Sequence, residues 1–255
     1  MVGARVAEIL ATLAAGGPPD SWPAQLVEDC QVALHMSGVG LAVVGPDGPV
    51  AVLAATSGHA QQMEDLQFAL GEGPCVDAAR LGRPVLIADL SSLAAQRWTA
   101  FTPEAAAAGV QAAFTFPLHV GAIGIGVLDL YRTTPGGLSD SELGQALAFA
   151  DAAIAVLLHL QDRAGGSTAG NEVVRAVDRR AVVHQATGLI SVQLDVSLAV
   201  ALLRLRAHAY AAGRSILEVA ADVVARRLSF NDSDAGTAAA PLRQRRRTTG
   251  DEESS

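Results

Sequence analysis

Three close pairs of arginines mark the last third of the chain: Arg179 with Arg180, Arg204 with Arg206, and Arg226 with Arg227. A guanidinium grips phosphate through a planar fork and stacks on unpaired bases, so this set suits the backbone of a folded nucleic acid. The first pair opens the stretch RRAVVHQATGLISVQL, residues 179–194, in which Val182, Val183, Ala186, Leu189 and Ile190 recur at helical spacing. Gly188 interrupts that pattern, where glycine costs about 1 kcal/mol relative to alanine. Ala186, Thr187 and Gly188 are all small, so another helix or an RNA backbone can approach this turn closely. Relief of crowding inside a helical unit is the competing explanation. His184, Tyr210 and Phe230 are the few rings nearby on which bases could stack.

The remaining reactive side chains form no catalytic constellation. Cys75 follows Gly73-Pro74 at the start of a short helix, where the helix dipole would lower its pKa and make it a thiol sensor. Cys30 falls on an apolar helical face and reads as core. Asp77 and Asp89 have no nucleophile or histidine partner beside them. The six histidines show neither H-x-x-x-H nor H-E-x-x-H spacing, so no metal site and no cofactor is read from the sequence, and no glycine run forms a P-loop.

Charge is distributed unevenly among the elements that must position these groups. Residues 1–160 hold five arginines and fifteen acids, a net of −10, whereas residues 172–230 hold eight arginines and five acids, a net of +3. An acidic front joined to a basic segment permits a nucleic-acid partner for the latter, because phosphate neutralisation dominates such affinity. All 18 basic residues are arginine, and hydrophobic residues make up 50% of the 255, ample for one or two cores. Two cysteines are too few for a disulfide framework. The first residues, MVGARVAEIL, lack a signal-peptide layout, and the apolar run Ala146–Leu160 is short for a bilayer and broken by Asp151. A cytoplasmic protein with no membrane partner is expected.

Helix and strand signals alternate up to residue 160. WPAQLVEDCQVALHM sets Leu26, Val27, Cys30, Ala33 and Leu34 on one helical face. GVGLAVVG, a PDG turn and PVAVLAATS read as paired strands, RPVLIADL as a third, and AAFTFPLHV with GAIGIGVLDLYRT as two more around Gly121. Ser139 with Glu142 three residues on is a capping box opening a long amphipathic helix to Leu160, a candidate dimer contact. The predicted first domain is α+β, an antiparallel sheet flanked by helices, over 20–160, preceded by an extension or helix at 1–19. A linker is expected at 161–171, then an all-α three-helix unit at 172–230. Its second helix starts at Ser197 and stops at Gly213, and its third is capped by Ser215 with Glu218; Asp222 is placed to pair with Arg226. About 58 residues can hardly enclose a core alone, so this unit is expected to pack on a partner chain or on the long helix. The tail 231–255, with RQRRR at 243–247, shows no periodicity and is expected to be disordered.

The helical segment resembles the ANTAR domain, the RNA-binding three-helix module of bacterial transcription antiterminators. The resemblance rests on RAVVHQATGLI, LRAHA and ILEVAADVV, framed by Arg180, Val183, Ala186, Gly188, Leu205, Arg206, Ala209, Val219 and Ala220. It implies a grip on stem-loops in leader transcripts, with Arg179, Arg180, His184, Thr187, Gly188, Arg204 and Arg206 as RNA-contacting residues, and a homodimer that holds paired hairpins. Many members carry lysine where this chain has Thr187. The first domain is similar to actinobacterial-type GAF modules through LGEGPCVDAARLGRPVLIADL, Leu70–Leu90. The Asn-Lys-Phe…Asp-Glu constellation of cyclic-nucleotide binders and the Cys-His pair of chromophore binders are absent, so that resemblance implies a small-molecule or redox sensor and names no ligand. Together they imply an antitermination regulator of GAF–ANTAR order, not an enzyme. The alternative is a redox enzyme or thiol sensor on the GAF scaffold using Cys75, with the helices serving oligomerisation.

Overall fold

The computed structural model describes residues 2–45, 48–56, 58–92, 97–164 and 171–230, with backbone alone at 2, 48, 164 and 171–180. Its frame is a five-stranded antiparallel sheet in the order β2-β1-β5-β4-β3. The strands are β1 (Gly38–Gly45), β2 (Gly48–Ala55), β3 (Val85–Ile87), β4 (Ala112–Val120) and β5 (Ile123–Arg132). β4 and β5 pair down to Val120 opposite Ile123, leaving a two-residue turn led by Gly121 at φ 62°, a left-handed value that glycine adopts without strain.

Strict alternation along the strands separates two faces. One carries Val39, Leu41, Phe114, Phe116, Leu128 and Leu130, and is covered by α1 (Val2–Gly16), α2 (Trp22–Leu34) and α6 (Asp140–Ala164). The other carries Ala113, Val127 and Tyr131 and is covered by α3 (Gly58–Leu70), α4 (Pro74–Leu81) and α5 (Phe101–Ala107). Leu13 of α1 is fully buried in the first layer. The segment 1–19, expected as an extension or helix, holds α1, which is part of the sheet's own cover.

α6 opens on the expected capping box. Glu142 N donates to Ser139 Oγ at 3.3 Å, and Ser139 N donates to Glu142 Oε2 at 2.7 Å. Arg132 from the end of β5 ion-pairs with the same carboxylate. The helix runs to Ala164, past the expected end at Leu160, and α7 (Asn171–Leu194) begins at the far edge of the expected linker. Residues 165–170 and the tail 231–255 lie outside the described residues. By length and composition Asp140–Arg163 suffices to cross a membrane, but Ala146, Phe149, Ala153, Val156 and Leu160 are buried in the core. That is the habit of a core helix, and it means that the apolar face expected to meet a partner chain is used within the first domain.

α7, α8 (Leu198–Ala211) and α9 (Ile216–Val224) form the helical unit. Ser197 caps α8 by accepting from Val200 N, and Ser215 with Glu218 makes a complete capping box on α9. Val183, Ile190, Leu205, Val219 and Val223 build its core. Within the chain, this unit packs on α3 and β2 of the first domain. Phe68 of α3, 5% exposed, joins that core with Ala69 beside it, and α7 lies along the edge strand β2.

Hydrogen bonds from the Ser139 backbone and hydroxyl, with Arg132 beside them, hold the Glu142 carboxyl down to about 2 from an ordinary 4.5. A group held low in the folded chain contributes stability above its unfolded value and loses it as pH falls through the folded one. Glu142→Gln should therefore lower the melting temperature at pH 7, and the gap to wild type should close between pH 4.5 and pH 2. Thermal unfolding followed by circular dichroism across that range checks it; a pH-independent gap would refute the assignment.

Candidate functional site

A row of polar side chains crosses the second face of the sheet. Gly40, Asp129 and Thr115 stand side by side on β1, β5 and β4. Asp129 and Thr115 are fully buried. α3 lays Glu64 and Gln67 over this row, both buried. Gly40 has no side chain, and a Cβ there would collide with the Glu64 carboxylate, so the glycine makes the space in which that carboxylate sits.

The groups are joined by hydrogen bonds. Thr115 Oγ1 donates to Asp129 Oδ1 at 2.5 Å, Tyr131 Oη donates to Glu64 Oε1 at 3.1 Å, and Gln67 Nε2 donates to Tyr131 Oη at 2.9 Å. Gln67 Oε1 in turn accepts from Cys75 N at 2.7 Å, at the first turn of α4. Asp129 Oδ2 is buried and has no hydrogen-bond partner among the described residues. Burial raises the Asp129 carboxyl to about 6 against the opposing pull of Thr115, Cys75 and Glu64. Burial, with the Asp129 and Glu64 charges, drives the Tyr131 phenol upward, so it stays a donor.

Cys75 stands where the sequence put it, near the start of α4, but it is fully buried and faces this polar row. That position turns the thiol toward Glu64 and Asp129 and away from solvent. Cys30 sits in the apolar core, and burial pushes its thiol well up. Asp77 is a structural anchor, accepting from Trp98 Nε1 at 2.9 Å and Arg97 Nε at 2.7 Å. Asp89 closes a turn by accepting from Ser91 N and Oγ.

On the helical unit the residues expected at RNA divide. His184 and Arg204 are exposed, and Gly188 is half-exposed with nothing within 4 Å of an added Cβ. The glycine therefore relieves no crowding inside the unit. Thr187 is buried, because its hydroxyl turns inward to donate to Val183 O at 2.7 Å. Arg206 faces the first domain, where Nε donates to Phe68 O at 3.2 Å in the last turn of α3. Carbonyls there lack helical partners and the dipole is negative, so a guanidinium is well placed. Gly71, at φ 69°, leaves the room: a Cβ there would collide with the Arg206 guanidinium. A cleft of about 250 Å³ opens beside this contact, lined by Leu66, Leu70, Glu104, Arg206, Tyr210 and Arg214 among others. Arg179 and Arg180 lie on the α7 backbone, and their side chains are outside the described residues. Asp222 pairs with Arg214 and Arg227, both at 2.7 Å, and not with Arg226, which follows the end of α9 at φ 57°.

Sequence reasoning missed Glu64 and Gln67, because α3 buries a face that is partly polar and so lacks apolar periodicity, and it missed Thr115, which carries no local signal within β4. Asp129 was visible in principle, as the acid inside the apolar strand GVLDLY.

A family model described as the GAF domain matches residues 25–158, and one described as the ANTAR domain matches 171–224. No curated protein matches this chain. Among solved structures, the GAF domain of a phosphoenolpyruvate-protein phosphotransferase from Coxiella burnetii is 14% identical with a TM-score of 0.50, over 64% of this chain and 96% of that one. The corresponding Acinetobacter GAF domain is 11% identical, TM-score 0.48, over 62% and 93%. Free methionine-R-sulfoxide reductase from Neisseria meningitidis is 16% identical, TM-score 0.43, over 62% and 88%. The sheet, its two helical layers and the model spanning more than half the sequence agree: the chain belongs to the GAF-domain family and carries an ANTAR domain after it, the composition of a sensory, RNA-binding antitermination regulator.

Proposed function

We propose that the protein binds small stem-loops in leader transcripts through its ANTAR helices, and that the GAF domain governs that grip. The observation that carries the reading is the exposed, uncrowded turn at Gly188 on an ANTAR helix, with His184 exposed one turn before it. Helical spacing puts positions 180, 184 and 188 on one stripe of α7. Arg204 adds an exposed arginine from α8. Phosphate contacts supply affinity here, and shape supplies selectivity, as is usual for RNA hairpins. Holding paired hairpins would keep a terminator from forming and let polymerase read on.

Communication between the domains runs through α3 in this proposal. Its middle lays Glu64 against the polar row, and its last turn supplies Phe68 and its carbonyl to the ANTAR unit. A shift of α3 on signal binding would be felt at Arg206. Arg206 thus serves as a coupling residue, while Arg204, Gly188 and His184 meet the RNA.

The working form is a homodimer in a cytoplasmic setting. Since the inner face of α6 is occupied, the second copy would pair along its outer stripe, where Leu147 and Leu158 are exposed and Ile154 lies between them at helical spacing. A small-molecule ligand of the GAF domain completes the scheme. Burial of Cys75 weighs against the thiol-enzyme alternative.

Filter binding of hairpin RNA and duplex DNA tests the reading. Arg204→Ala should weaken hairpin binding several-fold and reduce the salt slope by about one, with duplex DNA bound poorly throughout. Gly188→Ala should raise stability by up to about 1 kcal/mol while weakening RNA binding, because the methyl group fills the approach. Equal affinity for duplex DNA, or a Gly188→Ala chain that gains stability and keeps its RNA affinity, would count against it.

Arg206→Ala should lower the melting temperature with hairpin affinity unchanged or raised. A loss matching that of Arg204→Ala would return Arg206 to the RNA-contacting set. Light scattering should give twice the chain mass for wild type and one chain mass for the Leu147→Glu/Leu158→Glu double variant; a wild-type monomer that still grips two-hairpin RNA tightly would end the dimer scheme.

A further inference from the structure

We infer that Glu64, Cys75 and Asp129 form a binding site for a divalent first-row transition ion, of the zinc or iron(II) class, inside the GAF domain. Two consecutive helices, α3 and the first turn of α4, and the later strand β5 bring these groups together. One ligand atom from each, a carboxylate oxygen of Glu64, Sγ of Cys75 and a carboxylate oxygen of Asp129, lies within 4.8 Å of the others. All three residues are buried.

Two further observations point to an occupant. Asp129 Oδ2 is buried without a well-formed hydrogen bond among the described residues, with Cys75 and Glu64 as its polar neighbours, while Thr115 satisfies Oδ1. Leaving a buried acceptor unpaired is costly, more so when it is charged. Gly40, directly opposite Asp129 in the sheet, is the opening that admits the Glu64 carboxylate, and any side chain there would push it away. Two carboxyls and a thiol packed in this way are poorly suited to an apolar ligand, and a cation neutralises them.

Ligand chemistry narrows the ion. A thiolate selects zinc or iron over magnesium and calcium, and the carboxylates complete a borderline site. Tetrahedral bonds of 2.0–2.3 Å place ligand atoms about 3.3–3.8 Å apart, so the three must close by up to about 1.5 Å, within reach of side-chain rotation. The metal–sulfur bond forms as the Cys75 thiol proton leaves to solvent, and any proton held by Glu64 or Asp129 leaves with it. Tyr131 keeps its proton and continues to orient Glu64. Gln67, which donates to Tyr131 and accepts from the Cys75 amide, holds both sides of the site in place.

This inference does not depend on RNA binding and is tested without RNA. The full chain is treated with chelator, then titrated with cobalt(II), whose bond to a thiolate gives an intense near-ultraviolet charge-transfer band. The expected result is a band saturating at about one ion per chain, displaced by zinc, with release of about one to two protons per ion. Asp129→Asn should weaken the affinity at least tenfold, Cys75→Ser should abolish the band, and Cys30→Ala should leave it intact. Were Cys75→Ser or Asp129→Asn to misfold, the Cys30→Ala chain would decide alone, since Cys75 is then the only thiol. Absence of the band in that folded chain, or a band that survives Cys75→Ser, overturns the assignment, and the row is then a hydrogen-bonded polar cluster and no metal site.

Discussion

Two contacts join the domains, α7 along the edge strand β2 and α3 against the ANTAR unit, and of these α3 is the helix packed on both sides. α3 must satisfy buried polar groups on the sheet and at the same time fill an apolar gap in the ANTAR unit. Its 3.6-residue repeat brings Glu64, Gln67 and Phe68 onto its buried side within little more than one turn. The first two answer Tyr131 and Cys75, while Phe68 enters the core of the three-helix unit. A helix so constrained cannot move at one end without disturbing the other, which is the mechanical requirement for a sensor placed ahead of an effector.

The polar row on the sheet shows how a core tolerates charge. Asp129 and Thr115 occupy neighbouring strands and bond to each other, and Gly40 gives up its side chain so that a third group can enter. Polar groups in such a place must be paired, because each unpaired one is costly in a low dielectric. The arrangement is nearly complete, and the single orphaned oxygen of Asp129 is its one open valence among the described residues. Structural economy alone would have placed an apolar residue there, as at Val127 two positions before.

The helical unit divides its small and basic residues by direction. Thr187 and Arg206 turn inward, one to its own helix and one to the end of α3, whereas His184, Gly188 and Arg204 face out. A family frame fixes which positions are small or basic, yet it does not distinguish residues that hold the unit against its neighbour from those left for a ligand. Asp222 makes the same point on α9. Its two arginines come from the loop before the helix and from the residues after it, and not from the helical i,i+4 position.

Much of this chain was legible locally. The capping boxes at Ser139 and Ser215, the cap at Ser197, the turn at Gly121 and the alternation along β4 and β5 depend on residues within a few positions of one another, and both family resemblances rest on such short stretches. α3 escaped that reading because its buried face is partly polar, and α1 because nothing in its own residues says what it packs against. Which reactive groups meet was decided only by the tertiary structure: the bond from Arg206 to Phe68 spans 138 positions, and that from Tyr131 to Glu64 spans 67. The physical reason is that hydrogen bonding and capping act over a turn of backbone, whereas the burial of Cys75, Asp129 and Arg206 depends on how whole elements cross, a property of no single segment.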